Sequence, residues 1–144
     1  MSPSFTQTVS DITLIGPVVE ISVAVPFQLE QRLQQSGQQV PAPVKIQAMI
    51  DTGASRTALC QDIVDQLGLE LVGTTSVNTP SHQNVQCGIY SVRIGFPNNV
   101  VGQVAALGVP MKGQHIACLI GRDILKLGIL IYNGHVNQFS LCLF

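Results

Sequence analysis

The sequence predicts an all-β fold, a closed β-barrel with one or two short helices, in a single domain spanning 1–144. Three observations predict it. Apolar and polar side chains alternate with period two in several separate stretches. Turn-forming residues punctuate the chain between those stretches. Only two short segments carry a helical apolar spacing. Many short strands with two small helices are best accommodated by a sheet that closes on itself.

The first clear strand is 18–25, with Val19, Ile21, Val23 and Val25 on one face and Glu20 and Ser22 on the other. The second is 44–50, with Val44, Ile46, Ala48 and Ile50 opposite Lys45 and Gln47. A third places Tyr90, Val92, Ile94 and Phe96 opposite Ser91, Arg93 and Gly95. Such alternation marks half-buried strands of an antiparallel sheet. Further strands are expected near 100–107, 115–120, 129–132 and 136–143. Asn133-Gly134, between the last two, favours a tight hairpin turn. Gln28–Pro43, rich in Gln with Gly37, Pro41 and Pro43, reads as an extended polar loop. A helix over about 60–67 follows from Leu59, Ile63 and Leu67 at i, i+4 and i+8, with Gly68 as its stop. A second is expected over about 122–127, ending near Gly128. The last strand, with Phe139, Leu141 and Leu143 on one face, reads as an apolar terminal edge, so it is expected to pair with a partner chain.

Composition excludes several functions. Hydrophobic residues make up 46% and charged residues 10% of the chain, with a net charge of -1. So little charge on a small domain points to apolar surface covered by a partner. There is no basic run to neutralise phosphates, so no nucleic-acid partner is expected. The most apolar stretch, Ile116–Tyr132, is interrupted by Arg122, Asp123 and Lys126, too costly for a membrane span. The N-terminus has neither the basic start nor the apolar block of a signal peptide, so a cytoplasmic location is expected. Cys60, Cys87, Cys118 and Cys142 are widely spaced. Zinc ligation by these with His82, His115 or His135 would lack the close ligand pairs such sites use, and buried reduced thiols are the better reading. No metal and no cofactor are expected.

Chemistry concentrates in Ala48-Met49-Ile50-Asp51-Thr52-Gly53-Ala54-Ser55, where an apolar strand runs directly into Asp-Thr-Gly. A carboxylate there emerges from the core at a tight turn. Gly53 lets another backbone approach closely, and Thr52 offers a short hydroxyl that can lock the turn. On its own the triplet also fits an ordinary strand-to-turn aspartate. A second segment, Cys118-Leu119-Ile120-Gly121-Arg122-Asp123-Ile124-Leu125, reads as strand, glycine, short helix.

Together, Ile50-Asp51-Thr52-Gly53-Ala54-Ser55 and the later Leu119-Ile120-Gly121-Arg122-Asp123-Ile124-Leu125 resemble the retropepsin-like, or retroviral-type, aspartic proteases. The resemblance spans roughly residues 18 to 143 and implies the acid protease fold. It implies that Asp51 is the catalytic aspartate and that the Thr52 hydroxyl reaches the partner's equivalent turn. It implies that the Gly53 backbone contacts substrate, alongside Ala54 and Ser55. Gly121 then belongs to the supporting strand, and Arg122 helps tie the dimer together. Family members of the retroviral kind carry a carboxylate four residues after the catalytic one, which meets that arginine. Here that position is Ser55, so Arg122 must meet another acid or backbone carbonyls. The resemblance also implies a flap over bound peptide. Val72–Val92 is the candidate, with Thr79-Pro80-Ser81-His82-Gln83-Asn84 as its tip and Thr79, Pro80, Ser81 and His82 as substrate contacts.

Hydrolysis of this kind needs two carboxylates sharing a proton. Asp11, Asp62, Asp65 and Asp123 are followed by Ile-Thr, Ile-Val, Gln-Leu and Ile-Leu. None supplies a second Asp-Thr-Gly or Asp-Ser-Gly. A two-fold homodimer would bring Asp51 against its copy. The expected function is therefore a homodimeric aspartic endopeptidase acting on peptides or proteins. The alternative is a catalytically silent dimerisation or peptide-binding module with the same fold. Intact Asp51, Thr52 and Gly53 favour the enzyme.

Overall fold

Alternating side chains become strands because one face can then enter the core while the other stays wet. The computed structural model describes residues 3–78 and 83–144. Along the chain it contains β1 (Ser4–Thr8), α1 (Ile12–Ile15), β2 (Val18–Ala24), α2 (Phe27–Gln35), β3 (Val44–Ile50), β4 (Ala58–Cys60) and α3 (Gln61–Leu67). There follow β5 (Leu71–Val77), β6 (Val85–Gly95), β7 (Val101–Val109), β8 (Cys118–Ile120), α4 (Arg122–Leu125), β9 (Gly128–Asn133) and β10 (Gln138–Leu143).

Strands pair in the order β2-β3-β8-β4-β7-β6, and a further β2–β6 pairing, Val23 opposite Ile94, closes the ring. This is the β-rich fold with few short helices that the alternation predicts. Closure leaves no sheet edge in the ring. Inside it Val19, Ile21, Val23, Ile50, Val92 and Ile94 are buried in one core. Each such side chain contributes roughly 1.5–3 kcal/mol by leaving water. The 11-residue β6 carries two neighbours in tandem along one edge. Val85–Tyr90 pairs with β5, and Arg93–Gly95 pairs with β2. The β5–β6 hairpin is the expected Val72–Val92 hairpin. Of its expected tip, Thr79, Pro80, Ser81 and His82 lie outside the described residues, while the Asn84 amide donates to Asn78 Oδ1 at 3.0 Å.

Four expectations need correction. The ring is not wholly antiparallel, since β3–β8 and β4–β7 are parallel. Period-two patterning is identical for either direction, so it carries no information on this point. The 28–43 segment is not a loop throughout, because α2 occupies its first part. Gln, Leu, Glu and Arg are good helix formers, and Gly37 at φ 71 follows the end of the helix. No residue of α2 is buried, so no apolar periodicity announced it. Surface contacts hold it instead. Glu30 pairs with Arg93 at 3.0 Å, Arg32 pairs with Glu70, and the Arg93 guanidinium lies 4.1 Å from the Phe27 ring centre.

The other two corrections concern the C-terminal end. β10 is no free edge, because β1 flanks it on one side and β9 on the other. Phe139, Leu141 and Leu143 are buried within their own chain. Phe5 stacks on Phe96 at 5.7 Å and meets Phe139 edge-on at 6.1 Å, so the three-stranded sheet closes one end of the barrel. The β9–β10 hairpin is formed, but not through a two-residue turn at Asn133-Gly134. A short 3-10 turn covers Gly134–Val136, and Asn137 takes the positive φ of 56. The Asn137 side chain explains its selection, since its Oδ1 accepts from the Ile12 amide at 2.9 Å. The helices α3 and α4 form where expected, though α4 ends at Leu125, two residues short of the expected end. Gly68 ends α3 in the left-handed conformation, at φ 62.

Candidate active site

Asp51 lies at the end of β3, where the chain leaves the core. The Ile50 amide donates to the Pro17 carbonyl at 3.0 Å, and the Asp51 amide donates to the Ile120 carbonyl at 2.9 Å. The strand end is thus held on both sides before it turns. The Ala54 amide then donates to the Asp51 carbonyl at 3.2 Å, closing the turn. The Gly53 amide donates to Asp51 Oδ1 at 3.0 Å, which orients the half-exposed carboxylate. A Cβ on residue 53 would sit 3.2 Å from that same oxygen, so glycine suits the position.

The second motif is bound to the first. The Arg122 amide donates to the Ala54 carbonyl at 2.8 Å, and Arg122 Nη1 donates to the Thr52 carbonyl at 2.8 Å. Of the two acceptors open to Arg122 in the absence of an acid at Ser55, the structure contains the backbone carbonyl, within the same chain. Gly121 is required by close approach. A Cβ there would lie 2.6 Å from the Arg56 carbonyl carbon and 2.8 Å from the Thr57 nitrogen.

Sequence reasoning missed the group that locks these motifs together. Thr57 is the buried polar side chain of the described residues. Its hydroxyl donates to Asp123 Oδ1 at 2.7 Å, and its amide donates to Asp123 Oδ2 at 2.9 Å. The Thr57 hydroxyl also accepts from the Gly121 amide at 3.1 Å, and Asp123 Oδ1 accepts from the Ile124 amide at 2.9 Å. Buried polar groups persist only when hydrogen-bonded, and here every one of these is. The available signal was a lone hydroxyl ahead of Ala58-Leu59-Cys60, together with an acid in the first turn of α4. Nearby, burial and then the Asp123 charge push the Cys118 thiol well above the usual range, so it stays neutral. All four cysteines are free, and Cys60, Cys87 and Cys118 are buried. Among the described residues no three His, Cys, Asp or Glu side chains group as metal ligands.

Beside the turn opens a cleft of about 950 Å³. It runs from Gly53, Ala54 and Ser55 to Val77 and Val85 of the hairpin and Val109 of β7. Its volume lies within the range of ligand-binding clefts in general. Asp51 stands two residues before Gly53, which lines the cleft, and among the described residues no Asp or Glu lines the cleft itself. Among the described residues no helix is long and apolar enough to cross a membrane.

Residues 42–127 match the family model described as "gag-polyprotein putative aspartyl protease". No curated protein matches the chain. Among solved structures, a retropepsin-like aspartic protease from Rickettsia conorii is similar with a TM-score of 0.52 and 16% identity, covering 99% of this chain and 94% of that one. The retroviral protease-like domain of Ddi1 from Leishmania major gives 0.49 and 11%, covering 88% and 94%. EIAV protease in complex with the inhibitor HBY-793 gives 0.37 and 19%, covering 59% and 76%. The first of these shares the fold; the other two add nothing to that argument.

Proposed function

The chain belongs to the gag-polyprotein aspartyl protease family, and from that premise we propose that it is a homodimeric aspartic endopeptidase. The whole of 1–144 acts as one protease domain, in the cytoplasm, on peptide or protein substrates. The observation that carries the reading is Asp51 itself, its carboxylate oriented by the amide of Gly53, which with Ala54 and Ser55 lines the adjoining cleft. A lone carboxylate cannot divide the roles of acid and base. In the dimer Asp51 meets its copy across the two-fold axis. One carboxylate, ionised, takes a proton from water, and the other, protonated, donates to the scissile carbonyl oxygen. Two carboxyls about 3 Å apart, as in aspartic proteases generally, do not readily both carry charge, which lets such a pair share one proton.

The supporting residues divide the remaining work. The Thr52 hydroxyl reaches the partner's turn. Gly121 and Arg122 keep the turn rigid from behind. Gly53, Ala54 and Ser55 line the peptide's path, and Thr79, Pro80, Ser81 and His82 are further substrate contacts. Incubation with an unfolded protein at mildly acidic pH, with and without a pepstatin-type inhibitor, tests the reading. Cleavage should be inhibitable and bell-shaped in pH. Asp51→Ala should abolish it while leaving circular dichroism unchanged, because one substitution removes both carboxyls. Undiminished cleavage by that variant would sink the assignment. A protein that binds peptides and cuts none would establish the catalytically silent module instead.

A further inference from the structure

We propose that Arg56 selects substrates carrying an acidic side chain close to a bulky apolar residue at the scissile bond; the inference rests on the peptidase reading of the cleft. The cleft lining is largely apolar, with Val77 and Val85 from the hairpin and Leu107, Val109 and Met111 from β7 and the segment after it. A bulky apolar side chain is what such walls bind. Among the described residues lining the cleft, Arg56 is the one charged residue. Its side chain is exposed, and among the described residues no carboxylate lies within 4 Å of it.

The nearest candidate partner within the chain is already committed. Asp123 shares a neighbouring recess with Ser55 and Arg56. Its two oxygens, however, accept from the Thr57 amide, the Thr57 hydroxyl and the Ile124 amide. The cation therefore stands at the cleft wall with its donors available. It also stands at a fixed place. The backbone at Arg56 packs directly against Gly121, and the next residue is bonded on three sides, to Asp123, to Gly121 and, through its carbonyl, to the Leu107 amide at 2.9 Å. A guanidinium held at its root offers a planar fork that fits a carboxylate with two parallel hydrogen bonds. In an extended peptide, side chains two residues apart share a face. An acid two positions from the apolar residue would thus lie on the same wall. Because the two-fold axis repeats the cleft, an acid on either side of the scissile bond would meet one Arg56.

The test uses the full chain and three matched peptides with a central bulky apolar pair and Glu, Gln or Lys two residues away. In one set the central amide is reduced to a methylene-amine, so the peptides bind without being cut. The Glu peptide should bind about tenfold more tightly than the Gln peptide, and the Lys peptide most weakly. High salt should narrow the difference. Arg56→Gln should erase the preference and Arg56→Glu should reverse the order of Glu and Lys. The same order in wild type and in folded Arg56→Glu would overturn the proposal, as would failure of all three peptides to bind. The ordinary amide peptides separate the two ideas. If binding follows Arg56 but no peptide is cut, the peptidase reading falls and the role of Arg56 in recognition stands.

Discussion

Replacing Thr57 by Val keeps the shape of a fully buried side chain and removes one oxygen. That oxygen serves two bonds, the 2.7 Å donation to Asp123 and the 3.1 Å acceptance from the Gly121 amide. A hydrogen bond to a charged group contributes about 1.5–3 kcal/mol, and a stranded buried amide costs about 1–3 kcal/mol. The two losses share one site and are not additive in full, so a destabilisation of about 2–4 kcal/mol is expected. Against a total of about 5–15 kcal/mol for a domain, the variant should still fold. Its melting temperature should fall by about 4–16 °C, taking roughly 2–4 °C per kcal/mol at this size. The control is Thr57→Ser, which keeps the oxygen and loses only a methyl group, worth about 1 kcal/mol. Thermal and urea denaturation of the three proteins measure the difference. Equal stabilities for the Val and Ser variants would refute the claim that this hydroxyl locks the two motifs together.

Two further outcomes follow from the same geometry. Gly121→Ala places a methyl group 2.6 Å from backbone atoms of Arg56, which cannot swing aside. A loss of about 1–3 kcal/mol or more is expected by urea denaturation, together with weaker peptide cleavage as the Asp51 turn is displaced. Cys118, with its thiol pushed up by burial, should resist alkylation by iodoacetamide at pH 8 until the protein is unfolded. Its folded pKa lies above the unfolded one, so the unfolded state releases its proton first. Stability from this group is intact below the ordinary thiol range and declines as pH rises above about 8.5. Cys118→Ala should flatten that alkaline decline in urea titrations.

The parts of the molecule readable in advance were those encoded locally. Val19, Ile21 and Val23 enter the core because alternation puts them on one side of β2 in any sheet that buries that side. Gly68 ends α3 because the left-handed conformation it adopts is open to glycine. Asp51 was legible for the same reason, as an acid at the end of an apolar strand followed by residues that turn. The helix α2 was hidden because its stability comes from side-chain pairs with Arg93 and Glu70 rather than from a buried stripe. The strand β1 was hidden because Phe5 is its one buried residue, too little to set a period.

By itself the sequence determined which side chains face inward, where the short helix α3 stops, and that one carboxylate sits at an Asp-Thr-Gly turn. Each of these depends on neighbours a few residues away, which the order of the chain states directly. Only the tertiary structure decided that β3 and β8 run parallel, that β10 is enclosed by β1 and β9, and that Arg122 holds the Thr52 carbonyl. It alone brought Thr57 to Asp123 and left Arg56 without a partner among the described residues. These facts are hydrogen bonds, or their absence, between residues far apart in the chain. Their geometry exists only once the ring of strands has closed and brought the two motifs side by side.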